Sequence, residues 1–451
     1  MSAYSLPIPT LIRRAFGLPL LLVVLGACDE TTVTAPGEPS LAREPGAPAV
    51  KSTDPTSAPR NTTLTVRVLG SGFQPDAQAV WALDGDTAFA TTRIQTNTTE
   101  YVSSRELRAS ITIESDAELE LFDVLAINSN GKKGIGIELF AVTIEILDLG
   151  AGSPGTAQAV NDGGQIVGES GDGRAFLWSA GVLTDLGLPP GMTHSVAYDI
   201  NETGVIVVSA SAGPGTSRAF LWSEGTFDEL PPPAGYCCSQ AYALNDAGEV
   251  AGAVWVAQSE DPHAAIWRNR LPTDLQASSG GEGYAWDINN LGEVVGTYYS
   301  GTGGPQGSFR WSQSSGLQLL GGSADNGEAL GINDNGQIVG WSLPAPGQQL
   351  VAYVWQGGSR QFLGTLGGPG SVAMAITEDG QIVGRADLSR KRGALPQAAF
   401  LWTAGEGMKN LGASPSFDIG WAHDANSVGV IVGQMSNTRG GSQQATRWTL
   451  R

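Results

Sequence analysis

The chain carries one short passage seven times. Ile332-Asn333-Asp334-Asn335-Gly336-Gln337-Ile338-Val339-Gly340 is its fullest copy, and the Asn position recurs at Asn161, Asn201, Asn245, Asn289, Asn333, Thr377 and Asn426. Each copy precedes an aromatic strand ending at Trp178, Trp222, Trp267, Trp311, Trp355, Trp402 or Trp448, in steps of 44, 45, 44, 44, 47 and 46 residues. A third apolar series runs from Asp148-Leu149-Gly150 to Asn410-Leu411-Gly412. Such a period decides architecture before any single residue is weighed. Each repeat is one supersecondary unit that buries its apolar faces only against its neighbours.

Each repeat reads as four short strands. In the third copy Ser239–Leu244 is strand A, Asn245-Asp246-Ala247-Gly248 a tight turn, and Glu249-Val250-Ala251-Gly252 the start of strand B. Ala264–Trp267 is strand C, and the stretch ending at Asp274-Leu275 is strand D. The Asn, Asp and Gly of the turn are expected to adopt or tolerate positive φ. Glycine at 62 of 451 residues fits many such turns. No stretch holds helical periodicity for three turns. Four strands per 44 residues match a propeller blade.

The phase of the series adds topology. A D-type strand, Thr143–Leu149, comes before the first A strand, whereas the last repeat stops at the C strand Ala445–Arg451. The expectation is an all-β chain with a seven-bladed β-propeller, in which residues 143–149 supply the last outer strand. Pairing of N- and C-terminal strands then removes two open edges.

Residues 143–451 resemble the HAF repeat family of bacterial extracellular proteins. The resemblance rests on Ala175-Phe176-Leu177-Trp178, Ala219-Phe220-Leu221-Trp222 and Ala399-Phe400-Leu401-Trp402, each after an Asn-Asp-type turn. The family's His survives at His263, with Arg174, Arg218, Gly307, Val351, Ala398 and Gln444 at the equivalent positions. That variation reads as surface. Residues 61–142 alternate as strands of a small immunoglobulin-like β-sandwich and resemble the IPT/TIG family. Leu69-Gly70-Ser71-Gly72-Phe73, Ser103-Ser104-Arg105-Glu106-Leu107 and Asp123-Val124-Leu125-Ala126-Ile127-Asn128 with Gly131 carry that resemblance. It implies a spacer or interaction module without catalysis.

The N-terminus gives an address. Residues 1–27 read as a signal peptide, with an apolar stretch after Arg13-Arg14 that is too short to span a bilayer. Leu25-Gly26-Ala27-Cys28 resembles a bacterial lipoprotein box, which implies lipid on Cys28 and anchoring to a bacterial membrane, facing periplasm or cell surface. Arg13-Arg14-Ala15-Phe16 leaves both the general and the twin-arginine export routes open. Residues 28–60 hold six prolines and few large apolar side chains, and read as a disordered tether. A net charge of −19 disfavours nucleic acid and anionic lipid headgroups. The basic run Arg390-Lys391-Arg392 reads as a solvated B–C loop.

A–B and C–D connections are tight, whereas B–C and D–A connections are long and emerge on one face of the ring. Binding residues concentrate on such loops. Just after strand B, repeats three to five carry Trp255, Tyr298-Tyr299 and Trp341, with Tyr236 arriving from a D–A loop. These rings either pack under their own loops or form a ligand platform. Cys237-Cys238 are adjacent, so a vicinal disulfide and two separate thiols are both compatible with the sequence. His194, His263 and His423 show no ligand spacing, and no metal or cofactor is expected. Asp199, Asp287 and Asp424 share one position on strand A, fit for backbone hydrogen bonding or for a cation in the channel. The favoured class is a monomeric, non-enzymatic binding or scaffold protein with an envelope glycan or protein ligand. The rival is a polysaccharide-acting hydrolase or lyase, which needs paired carboxylates at the ring mouth.

Overall fold

The computed structural model describes residues 45–449 except 61, 84–92, 115–116, 118–120, 144, 257–260, 277–280, 300–305, 322–325, 346, 390–395, 413–416, 418 and 438–440. The signal segment, Cys28 and the run at 390–392 lie outside the described residues. Among the described residues the secondary structure is β throughout.

The first eight strands are β1 (Ala49–Asp54), β2 (Ser57–Pro59), β3 (Thr62–Ser71), β4 (Gln78–Leu83), β5 (Ile94–Ser103), β6 (Glu106–Ile113), β7 (Leu121–Ile127) and β8 (Lys133–Thr143). They form two four-stranded sheets, β1-β3-β6-β5 and β2-β8-β7-β4, around one core. The period of two is plain in β6, where Leu107, Ala109, Ile111 and Ile113 all turn inward. Trp81 meets Phe140 edge-on at 5.9 Å in the middle.

The expectation of a tether through residue 60 is corrected here. Residues 49–54 pair with β3, and residues 57–59 pair with β8. Only Val50, Thr53 and Ala58 are buried in these two strands. Edge strands held by ladder bonds do not need a rich apolar composition, so composition could not reveal them.

The rest of the chain is a ring of four-stranded antiparallel units, the β-propeller architecture. Unit one has A at Thr156–Val160, B at Ile166–Glu169, C at Ala175–Ser179 and D at Val182–Asp185. Five further units follow, with A strands at His194–Ile200, Cys238–Leu244, Glu282–Ile288, Gly327–Ile332 and Gly367–Ile376. Unit seven has A at Ile419–Ala425, B at Val430–Ser436 and C at Gln443–Thr449. Its fourth strand is β9, Glu145–Asp148, which pairs antiparallel with Gln443–Thr449 and sets Ile146 opposite Trp448. The A strands adjoin one another in sequence, and the last adjoins the first. They are therefore the innermost strands. Cores lie between units: Ala159 and Val167 of unit one share a cluster with Ala197, Val208 and Phe220 of unit two.

The turn Asn does not take positive φ. That conformation falls to the glycine, as at Gly164 (74°) and Gly336 (71°). The Asn works between units instead. Its Oδ1 accepts the backbone N–H four residues on, as Gln165 donates to Asn161 at 2.9 Å. Its Nδ2 donates to the turn-Asn carbonyl of the next unit, or to that of Thr377 from unit five, at 2.9–3.3 Å, and unit seven donates back to Asn161. A second ladder runs beside it. The backbone N–H after the Asn donates to the acidic or amide side chain at that position in the next unit, as from Glu202 to Asp246 at 3.0 Å and from Ser427 to Asp162 at 2.8 Å. Buried amides of this kind need partners, and the ring supplies them in rotation.

Candidate functional site at the mouth of the ring

Every A strand carries a bulge at one position. The pairing of A with B skips one residue between Ala157 and Ala159, Ala197 and Asp199, Ala241 and Ala243, and so on to Ala422 and Asp424. The skipped residues are Gln158, Tyr198, Tyr242, Trp286, Leu330, Met374 and His423. Residues before the bulge pack on the preceding unit and those after it on the following unit, as Ala197 and Ala159 show in one shared core. The bulged residues reach toward one another from unit to unit, and Tyr198 also packs against the core shared by units two and three.

On one side of the ring these residues form a continuous aromatic row. Tyr198 meets Tyr242 edge-on at 5.4 Å, and Tyr242 meets Trp286 at 4.7 Å. Trp286 stacks on Tyr284 at 4.9 Å with only 14° between the planes. Tyr284 lies two residues toward the long-loop end. At that same level unit five presents Glu328 opposite Trp341, unit six Val372 opposite Arg385, and unit seven Trp421 opposite Gln434.

The indole N–H groups at this level are already engaged. Trp286 Nε1 donates to Thr297 Oγ1 at 2.8 Å, Trp341 Nε1 to Glu328 Oε2 at 3.1 Å, and Trp421 Nε1 to Gln397 Oε1 at 2.9 Å. What each indole has left to offer is a face. Arg385 lies over the Trp421 ring at 4.3 Å. Burial lowers its pKa, against the pull of Asp387 and Glu328. Burial raises the Tyr299 phenol, and Glu328, Tyr284 and Glu282 add to the shift, which places this ring among the same acids.

The structure divides the sequence-derived set. Trp341 and Tyr299 belong to the mouth, both near Glu328. Tyr298, one residue earlier on the strand, turns the other way into the core shared by units three and four, and lies against Gly281. Trp255 is half-buried at the end of its strand opposite Cys238, and among the described residues no ring contact joins it to Tyr299 or Trp341. Tyr236 is tied down elsewhere. Its O–H donates to Asp274 at 2.7 Å and lies 3.0 Å from His263 Nδ1, and burial with Asp274 pushes its pKa to about 12. Cys237 and Cys238 are free thiols, one exposed and one buried. Burial pushes the Cys238 thiol up to about 12.

Tyr284, Trp286, Glu328, Arg385 and Trp421 join the mouth without belonging to the set expected from sequence. The signal was available: aligned on the repeat Asn, they fall three and five residues before it on strand A, or directly opposite on strand B. Asp199, Asp287 and Asp424 take the backbone role. Asp199 accepts from its neighbour Ile200 and from Leu244 of the next unit, both at 2.8 Å. Asp287 does the same with Ile288 and Ile332, and Asp424 accepts from Val160 at 2.9 Å. Burial still pushes Asp287 to about 6 and Asp424 to about 7. His263 pairs with Asp274 at 2.8 Å as Arg174 does with Asp185 and Arg218 with Glu229, so that position makes a C–D cross-strand polar pair in units one to three.

The sandwich sits at the other end of the ring. Pro59, Arg60 and Thr62 line a cavity of about 550 Å³ together with Asp162, Gly163, Gly164 and Val428 of the tight turns. The aromatic mouth therefore opens on the face away from it.

No protein-family model matches the sequence, and no curated protein resembles it significantly. Solved structures are similar in outline. TolB from Acinetobacter baumannii is 11% identical, with a TM-score of 0.32 over 53% of this chain, and the chain spans only 58% of that protein. The β-propeller domain of the Trilobed protease from Pyrococcus furiosus is 7% identical, with a TM-score of 0.40 over 82% of this chain and 99% of that one. YCF48 bound to a D1 peptide is 12% identical, with a TM-score of 0.40 over 68% and 96% of the two chains. Likenesses of this size carry no argument about ligand or activity.

Proposed function

We propose that this chain is an exported, lipid-tethered and non-enzymatic binding protein of the bacterial envelope. On this reading Cys28 bears the lipid, and an IPT/TIG-like sandwich holds a seven-bladed propeller of HAF-type repeats off the membrane. The long-loop mouth of the ring takes an envelope glycan or protein. One observation carries the proposal. Tyr284, Trp286, Trp341 and Trp421 gather at one mouth with each indole N–H satisfied inside the protein, beside Glu328 and Arg385. Rings with satisfied edges and partly exposed faces suit contact with flat apolar surfaces on a ligand. The hydrolase reading asks for converging carboxylates free to act. Asp199, Asp287 and Asp424 instead accept backbone N–H groups.

The test is retention of the full chain on an immobilised envelope fraction, with thermal unfolding run in parallel. Trp341→Ala combined with Tyr284→Ala should abolish retention at an unchanged unfolding midpoint. Retention that survives in the folded double variant would sink the proposal.

A further inference from the structure

Among the bulged residues, the residues two before them and the B-strand residues opposite, Arg385 is the only Lys or Arg. Its guanidinium rests over one ring. Trp421 lies under it at 4.3 Å, and that indole is fixed by its bond to Gln397. The two acids nearest in charge have other engagements: Asp387 Oδ1 accepts from Gln397 at 2.8 Å, and Glu328 Oε2 accepts from Trp341. Among the described residues Arg385 itself makes no hydrogen bond or ion pair. A guanidinium that rests over an indole without a hydrogen-bond partner has its N–H groups left for a ligand, and their fork matches a carboxylate.

We infer that the mouth of the ring takes a carboxylated saccharide of the uronate type, with Arg385 holding the carboxylate and the rings of Tyr284, Trp286 and Trp341 stacking against sugar faces. This rests on the binding reading above and narrows it. A chain of net charge −19 repels polyanions in general. The mouth therefore selects a ligand whose negative groups are single and spaced, one within reach of Arg385, rather than a dense polyphosphate. A saccharide is favoured over a peptide terminus because the satisfied indoles offer faces and no donors, which suits pyranose C–H surfaces better than an amide backbone that needs partners.

The experiment is calorimetric titration of the full chain with uronate oligosaccharides, with the same oligosaccharides after carboxyl reduction, and with peptides ending in a free or amidated carboxylate. Wild type should bind the uronates, more weakly at high salt, and lose them on carboxyl reduction. Arg385→Gln should lower uronate affinity at least about tenfold, and Arg385→Lys should recover part of it, because a point charge lacks the fork. If Arg385→Gln fails to fold, the Arg385→Lys loss carries the test. Equal binding of acidic and reduced sugars, abolished by Trp341→Ala, overturns the inference and leaves the binding reading standing. Preference for free peptide carboxylates overturns it in favour of a peptide. If no uronate binds, the inference fails whatever the envelope fraction retains.

Discussion

Two junctions in the ring are built differently. Between units seven and one, where no peptide bond continues the A-to-D order, four positions of one strand and its turn reach across. His423 Nδ1 donates to the Ala157 carbonyl at 2.9 Å, Asp424 accepts from Val160, Asn426 donates to Asn161 at 2.9 Å, and Ser427 donates to Asp162. Between units six and seven the same four positions are Met374, Ala375, Thr377 and Glu378, and among the described residues neither ladder crosses there. Thr377 turns its hydroxyl to Asp379 and Gln381 within its own turn. That junction is held at its other end. A parallel bridge joins Gln397 to Ile419, Trp421 bonds Gln397, and Arg385 covers Trp421. The ring ties itself most fully where the backbone does not, and it places the Arg–Trp pair of the mouth where the ladders are missing.

The largest test removes the closing strand. Deleting residues 446–451 strips most partners from β9 and removes Trp448, which is fully buried. Loss of that side chain alone costs about 3–5 kcal/mol, and two open edges are exposed as well. Cooperative unfolding should disappear or shift down steeply in a calorimetric scan. An unchanged midpoint would show that the seam contributes nothing. Next in size is Asn426→Ala, which takes the side-chain acceptor from the Val430 N–H and leaves the Asn161 carbonyl with the Gly164 N–H alone, and should cost about 1–3 kcal/mol by urea unfolding. Its mirror image, Thr377→Asn, should add no more than about 1 kcal/mol by completing the ladder at the sparse junction. If both variants leave the urea midpoint where it was, the comparison between junctions has no energetic content.

The last test is of pH dependence, to which the closed seam supplies two groups of opposite sign. Asp424 is pushed to about 7 in the fold, against about 3.9 in an unfolded chain. Its protonated form therefore favours the fold. That contribution is full below about pH 4 and is lost as pH rises through 7. His423 has the opposite sign. Burial pushes it down to about 4, so its contribution is present above about pH 6.5 and is lost as pH falls through 4. Asp424→Asn should flatten the decline toward neutral pH, and His423→Gln the decline toward acid, in urea midpoints followed from acid to neutral pH. Parallel profiles for wild type and both variants would place the titration elsewhere.

The period and phase of the repeat were legible because every unit solves the same burial problem with the same spacing. Of the stretch 143–149, orphaned in the repeat order, Glu145–Asp148 pairs with Thr446–Thr449, whereas Thr143 ends β8 and pairs with Pro59. The role of the Asn was not legible. A turn Asn that bonds within its turn and one that also bonds a carbonyl about 44 residues away look alike in sequence. The site was half legible for a related reason. Trp341 and Tyr299 were found as departures from the repeat, but Tyr298 was grouped with them although strand alternation turns it to the other face. Tyr284, Trp286 and Trp421 sit on strand A, whose bulge alters which side a residue faces. A two-residue period counted through that stretch gives the wrong answer.

The rotation of the Asn bonds has a consequence for how such a chain is inherited. Each unit that bears the Asn brings both a donor for the neighbour ahead and a carbonyl for the neighbour behind. A duplicated stretch of gene therefore arrives with matching ends, and the copies can drift at the mouth while the hub between them stays the same.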